Sequence, residues 1–364
     1  MRIAVIAFSG KGGALAKQIA SLLPRWRMGE MHQVRILVPE THKTEAVEAF
    51  DSLDCVMEEI FRSSGMIVFV GACGIAVRAI APYIRSKLTD PGVLVTDECG
   101  DYVIPILSGH IGGANEFGRW LADAIGAEPV ITTATDRNGV FAVDTFAVKN
   151  HLHIENPSMI KEVSSGLLNG QKVGVISEFP IQGHLPRGLI LISDRPGNGG
   201  IGQKLQTGIR IGTQSEDVLQ NLYFERACVL TPVDLVAGMG CRRGKSAVEL
   251  EFFLKEILKK HHINIHRIGK LCSVDKKADE QGLIGLADRL GIPFETYSAA
   301  ELNAIPGEDG AFSNSDFVRE QTGTDNVCER SACLGSGHGR KLIAKQTMDG
   351  MTLAVYQREM QLMF

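Results

Sequence analysis

The chain opens on a short apolar run, Ile3–Phe8, of the kind that forms a strand buried on both faces. Val34–Val38, Met66–Val70, Gly92–Thr96 and Pro129–Thr133 repeat the pattern and read as further strands. Between them, helical periodicity covers Ala14–Leu23, Lys43–Phe50, Ile75–Ile80 and Ala114–Ile125. Buried strands alternating with helices predict a parallel sheet covered on both faces, its crossovers right-handed.

Beyond this region, Phe141–Pro196 is rich in Gly and Pro and carries a helix at Ser158–Leu168. Its strands are expected at Lys172–Ile176 and Gly188–Ile192, which suggests a smaller α/β region. Residues 196–213 are Gly-rich and read as a loop or linker. A new α/β unit begins near Val229, with a strand at Val233–Ala237, a loop at Gly238–Gly244 and an amphipathic helix at Ala247–Lys260. Ile268–Ser273, the helix Ala278–Leu290, Phe294–Tyr297 and Thr352–Tyr356 complete it. The expected fold is multidomain α/β, with mainly parallel sheets flanked by helices. An N-terminal α/β domain is expected over residues 1–138, a middle domain plus linker over 139–228 and a C-terminal α/β domain over 229–364.

Composition narrows the chemistry. A chain of 364 residues exceeds one ordinary core, and a net charge of −4 lacks the basic excess of a nucleic-acid binder. No apolar run reaches the roughly 18–20 residues that span a bilayer, so no membrane partner is expected. The first apolar stretch is too short for a signal-peptide core. Eight cysteines are scattered without a C-x-x-C pair, which favours reduced thiols and a cytoplasmic location. The ten histidines make no recognised zinc spacing. His151/His153 and His261/His262/His266 read as exposed structural residues, and no intrinsic metal site is expected.

Three Gly-rich loops fall where open α/β sheets bind ligands. Ser9–Gly13 fits either an anion-facing turn or a plain tight turn. Gly238–Ser246 ends in Gly-Lys-Ser after a strand, but Met239 stands where a phosphate-binding loop requires Gly, so a nucleotide site is rejected. What remains is Arg242, Arg243 and Lys245 near a helix start, suited to carboxylates as well as phosphates, with a solvated basic turn as the alternative. The densest constellation is 96–116. Asp97, Glu98 and Asp101 form an acidic turn, and Ser108-Gly109-His110 with Gly112-Gly113 sets a histidine in flexible backbone before a helix. Such a histidine suits general acid–base work, or its ring is simply satisfied by the backbone. Ser108 lacks a G-x-S-x-G elbow, so serine-hydrolase chemistry is not expected. Thr132–Asp136 ends the next strand and is expected on the same edge as the acidic turn, with Asp136 as a ligand or a cap.

Gly71-Ala72-Cys73-Gly74-Ile75-Ala76-Val77-Arg78-Ala79-Ile80-Ala81-Pro82, Leu107-Ser108-Gly109-His110 with Gly112-Gly113-Ala114-Asn115, and Pro129–Asp136 resemble the N-terminal region of cobalt-precorrin-5A hydrolases, the CbiG-type enzymes of anaerobic cobalamin synthesis. Gly240-Cys241-Arg242-Arg243-Gly244, Ser273–Glu280 and Asn326–Ala332 are similar to the matching C-terminal domain. The resemblance covers nearly the whole chain and is least distinctive over 141–225. It implies a substrate that is a cobalt-containing, ring-contracted tetrapyrrole, whose ring A δ-lactone is opened with release of acetaldehyde. Cobalt then arrives with the substrate, so no cofactor is expected, and neighbouring enzymes of the pathway are candidate partners. On this reading His110, Glu98 and Asp97 are the candidate catalytic residues. Gly74, Arg78, Ser108, Gly109, Gly112, Gly113, Asn115, Thr133, Asp136, Arg242, Arg243 and Lys245 are the candidate substrate contacts. The competing readings are a corrinoid-binding or channelling protein without chemistry, and a nucleotide-dependent enzyme using the loops at Ser9 or Gly240.

Overall fold

A computed structural model describes residues 1–28, 31–87, 89–192, 204–213, 223–305, 312, 320 and 322–364, which divide into two units, Met1–Thr145 and Phe146–Phe364. In the first unit the elements run β1 (Arg2–Ala7), α1 (Gly10–Leu22), β2 (Gln33–Pro39), β3 (Glu48–Phe50), α2 (Leu53–Ser63), β4 (Met66–Val70) and α3 (Cys73–Ile80). They continue with β5 (Gly92–Thr96), β6 (Tyr102–Leu107), α4 (Ala114–Ile125), β7 (Glu128–Pro129), α5 (Ala134–Arg137) and the start of α6 (Val143–Lys149). The strands form one sheet in the order β3-β2-β1-β4-β5-β6-β7. Alternate residues of each central strand serve opposite faces. Ile3, Val5, Val68 and Val70 pack with α1 and α4, while Ala4, Ile6, Ile67 and Phe69 pack with α2 and α3.

All neighbours in this sheet are parallel except β5 and β6. The sequence analysis places no strand over Tyr102–Leu107, a run that holds Pro105. Pro105 sits where the β5–β6 register shifts, and β7 pairs only with Tyr102 and Val103, so no ladder bond is lost at the proline. Lys43–Phe50, expected as a helix, is instead a turn leading into edge strand β3. Pairing with β2, which buries Phe50, overrides the local pattern.

The second unit holds β8 (Leu152–Ile154), α7 (Ser158–Leu168), β9 (Val173–Ser177), β10 (Ile181–Gln182), β11 (Leu189–Leu191), β12 (Leu205–Ile211) and β13 (Phe224–Pro232). Then follow β14 (Leu235–Cys241), α8 (Ala247–Lys260), β15 (Ile268–Val274), α9 (Gln281–Leu290), β16 (Phe294–Tyr297) and α10 (Ala299–Asn303). Helix α11 (Val327–Gly335), β17 (Arg340–Met348), β18 (Met351–Gln357) and β19 (Leu362–Met363) complete it. Two five-stranded sheets result, β11-β9-β12-β13-β8 and β16-β15-β14-β18-β17, with a β10-β19 pair. Residues 205–211, read from sequence as linker, form the central strand β12. Their glycine is functional in packing, because a Cβ at Gly208 would lie 2.3 Å from the Phe224 ring. Residues 196–203 of the expected linker lie outside the described residues.

The last sheet is covered by α8 and α9 on one face, through Leu250, Phe253, Leu283 and Leu286, and by α11 on the other, through Cys328 and Ala332. Helix α11 comes so close that a Cβ at Gly238 would stand 1.9 Å from the Cys328 carbonyl oxygen and 2.8 Å from the Ala332 nitrogen. Gly238 is therefore a packing glycine. Gly238→Ala must push a helix backbone away from a buried strand, and we expect a loss of about 1–3 kcal/mol in denaturant unfolding. Wild-type stability would show that α11 does not seat there.

Candidate functional site

The reversal of β6 divides the densest motif of the sequence in two. Asp97, Glu98 and Asp101 follow β5 at the carboxyl edge of the parallel strands, whereas His110 follows β6 at the opposite edge. Six strand residues at about 3.3 Å each put roughly 20 Å between them. On the first edge, the Asp97 carboxylate accepts from the amides of Cys99 (2.8 Å), Asp101 (3.0 Å) and Tyr102 (2.9 Å). Burial works to raise its pKa, but those amides overcome it and hold the group below the ordinary 3.8. Glu98 accepts from the Ser9 hydroxyl at 2.6 Å, and Ser9 caps α1 by accepting from the Gly12 amide at 3.0 Å. The Ser9 loop is thus a capped helix start. Gly74 begins α3 on this same edge, tied to it through the bond from the Gly71 amide to the Thr96 carbonyl, and Arg78 lies one turn further on.

On the other edge a dense polar cluster forms. Strand β7 runs parallel to β6, so Thr133–Asp136 arrives beside His110 and not beside the acidic turn where it was expected. His110 Nε2 lies 3.0 Å from Asp136 Oδ2 and 3.1 Å from Thr135 Oγ1, and Nδ1 lies 3.2 Å from Asp144 Oδ2. Asn115 Nδ2 donates to Thr133 Oγ1 and to Asp136 Oδ2, both at 2.9 Å, and Arg119 pairs with the other oxygen of Asp136. The hydrogen bond to Asp144 is the main reason the His110 pKa is raised above 6.5 against its burial, with Asp136 adding to it. Burial alone would raise both carboxyls. Arg119 and His110 hold Asp136 below 3.8, and His110 does the same for Asp144. The two carboxylates therefore favour the protonated form of the ring over the neutral one.

The backbone around His110 is folded tightly. Ser108 takes φ +51° and Gly113 φ +73°, and the Ala114 and Asn115 amides at the head of α4 are satisfied by the Ser108 and Gly109 carbonyls. A Cβ at Gly112 would lie 2.5 Å from Ser108 Cβ, and one at Gly109 would lie 2.6 Å from the Asn115 side chain. The Ser108 hydroxyl is buried without a partner, and both His110 nitrogens face carboxylates, so no serine–histidine pair exists. Among the described residues the amides of Gly109, His110, Ile111 and Gly112 have no hydrogen-bond partner. They form a run of donors next to the imidazolium.

The second unit has its own concavity beyond the carboxyl ends of β14 and β15. A cavity of about 760 Å³ is lined by Arg242, Arg243, Lys276, Lys277 and Lys345 against Asp349 alone among acids. Its rim includes the β17–β18 hairpin, where Asp349 (φ +46°) and Gly350 (φ +76°) turn the chain. The Arg242 amide donates to the Gly350 carbonyl at 2.9 Å, and a Cβ at Gly350 would meet Arg242 Cδ at 2.8 Å. Loop amides here are committed internally: Gly244 donates to Glu280 (3.0 Å) and Ser246 to Glu249 (2.9 Å). Glu249 closes a capping box at the head of α8 and also holds Lys245 at 2.7 Å, so Lys245 is turned to its own helix. The positive charge of the cavity is carried by side chains. Arg243 is shared with exposed Asp279 at 3.2 Å.

The structure thus brings together Ser108, Gly109, His110, Gly112, Gly113, Asn115, Thr133 and Asp136, and separates them from Asp97, Glu98, Gly74 and Arg78. Asp144 and Arg119 were missed by sequence reasoning. The available signals were a carboxylate alone in the apolar run Ala142–Ala147 and an arginine one turn after Asn115 on the same face of α4.

Fold and sites define a multidomain α/β protein with a histidine–carboxylate cluster in one unit and a cationic cavity in the other. Profiles of the cobalamin synthesis G family match in order: its N-terminal region over residues 55–136, its central region over 141–196 and its C-terminus over 235–356. The chain is 32% identical to the cobalt-precorrin-5A hydrolase of Salmonella typhimurium, over 97% of both chains. It is 29% identical to that of Priestia megaterium, over 97% of this chain and 94% of the other. A solved cobalamin biosynthesis protein G homolog from Sulfolobus solfataricus aligns over 98% of this chain and 97% of its own, at 20% identity and a TM-score of 0.43. The chain belongs to the cobalamin synthesis G family.

The clasp around His110 makes stability depend on pH. A raised histidine pKa contributes stability that is present below about 6.5 and is lost as pH rises through the folded value. The lowered carboxyls contribute above about 3.8 and lose it as pH falls. His110→Gln leaves buried Asp144 short of a charged partner and should cost about 1–3 kcal/mol between these limits. The difference from wild type, followed by denaturant unfolding, should shrink on the alkaline side. A constant difference across pH would show that the ring carries no charge.

Proposed function

We propose that this protein is a cobalt-precorrin-5A hydrolase of cobalamin biosynthesis, opening a ring-fused lactone of a cobalt tetrapyrrole and releasing acetaldehyde. The observation that carries the reading is the unbroken likeness, at 32% identity over 97% of the chain, to a protein of that name. The cobalt belongs to the substrate. The cysteines form no disulfides, which suits a reducing cytoplasm, and no described helix is long and apolar enough to cross a membrane.

The reaction adds water to an ester carbonyl, expels an alkoxide that must take up a proton, and then breaks a carbon–carbon bond as that hydroxyl gives its proton back. The first step develops an oxyanion. Unpartnered amides in a fixed turn stabilise such charge without reorganising, and Gly109–Gly112 supply them. The alkoxide needs an acid, and the His110 imidazolium, held by Asp136 and Asp144, is poised in the donating form. The substrate carries many peripheral carboxylates, for which the Arg242-lined cavity offers guanidinium and ammonium groups.

His110→Gln should lower acetaldehyde release by about 10²–10⁴-fold while leaving corrinoid binding, read from the shift of its visible spectrum, nearly intact. The wild-type rate should fall as pH rises through the raised His110 value. Full turnover in the variant would remove His110 from the chemistry, and a spectral shift without any aldehyde from wild type would make the chain a carrier. Arg242→Ala should weaken substrate binding most at low ionic strength. Affinity that is unchanged in dilute buffer would exclude the cavity as the carboxylate site.

A further inference from the structure

Two histidines read from sequence as surface residues meet in the second unit. His153 lies in β8, Glu155 follows that strand, and His266 precedes β15, so the groups come from the two different five-stranded sheets. His266 Nδ1 is 3.1 Å and His153 Nε2 is 3.9 Å from the same oxygen, Glu155 Oε2. The three donor atoms all lie within 4.8 Å of one another, and the imidazole rings sit 3.9 Å apart. Bonds of about 2.0–2.1 Å in a tetrahedron set donors roughly 3.3 Å apart, so small side-chain rotations suffice.

The other carboxylate oxygen is already fixed. Glu155 Oε1 accepts from Thr231 Oγ1 and from Asn264 Nδ2, both at 2.7 Å. This leaves Oε2 aimed at the two rings, the arrangement in which outer hydrogen bonds orient a metal ligand. All three side chains retain solvent exposure, between 21% for Glu155 and 47% for His266, so an ion can enter.

We propose that His153, Glu155 and His266 bind one divalent transition-metal ion of the zinc class, which clips the central sheet to the C-terminal sheet and leaves a coordination position for water. The set is nitrogen and oxygen only, which suits zinc or cobalt(II) and disfavours thiolate-selected metals. This site is independent of the His110 cluster and of any catalytic reading. Its role is structural: an ion bound to the folded state alone raises the melting temperature.

The test uses the full, tag-free chain after chelator treatment, with Co²⁺ and then Zn²⁺ as probes. Wild type should bind one Co²⁺ with visible ligand-field absorption and no sulfur charge-transfer band, and Zn²⁺ should bleach it and raise the melting temperature. His153→Ala/His266→Ala should lose both the band and the metal-dependent stabilisation while melting like metal-free wild type. Thr231→Val should weaken Co²⁺ binding about 10–100-fold without altering the spectrum. Metal binding that persists in the double variant, a thiolate band, or a chain that takes up no Co²⁺ would each overturn the assignment.

Discussion

Three backbone amides folded onto the Asp97 carboxylate turn the chain back on itself, and the candidate site follows from that turn. With β6 reversed, the following loop is delivered to the far edge of the sheet. The crossover through α4 then makes β7 run the same way, which brings Thr133, Asp136 and Asp144 to the same place. Had β6 continued the parallel winding, His110 would have emerged beside the Ser9 and Gly71 loops. A carboxylate at one edge of the sheet therefore decides that the His110 loop emerges at the other.

The two candidate surfaces handle charge by different means. Around His110 it alternates in sign, Arg119 to Asp136 to His110 to Asp144, and the cations lower the pKa of both carboxyls. Such a chain is rigid and its protonation states are interdependent. In the second unit the loop amides and the α8 terminus are consumed by Glu280 and Glu249, and cationic side chains project into the cavity instead. Long flexible cations adapt to scattered carboxylates, whereas a preset amide cradle fits one compact anion.

Much of the architecture was legible because it is local. Ala247–Lys260 carries its own capping box, Ala114–Ile125 lies between two glycines, and Met66–Val70 and Gly92–Thr96 are apolar throughout; each forms where its pattern places it. The misses are non-local. Lys43–Phe50 has helical spacing but pairs with β2, while the apolar stripe Leu53, Val56, Met57, Ile60 and Phe61, which does form a helix, was overlooked. Pro105 disguised β6, and Gly208 disguised β12. In the site, the residues near His110 in sequence were found and Asp144 was not. Nothing local tells a carboxylate that it will face a ring 34 positions away. The meeting of the His153 and His266 rings is non-local in the same way.

The hairpin tip at Asp349–Gly350 has a consequence for how this cavity can diverge. The stem of Arg242 occupies the space that any side chain at 350 would need. A lineage that lost this glycine would keep every cation in its sequence and still present a different electrostatic face, because one guanidinium would be swung aside. The charge that the cavity presents is thus exposed to drift at an uncharged position of its rim, and a comparison restricted to the charged positions would overlook the change.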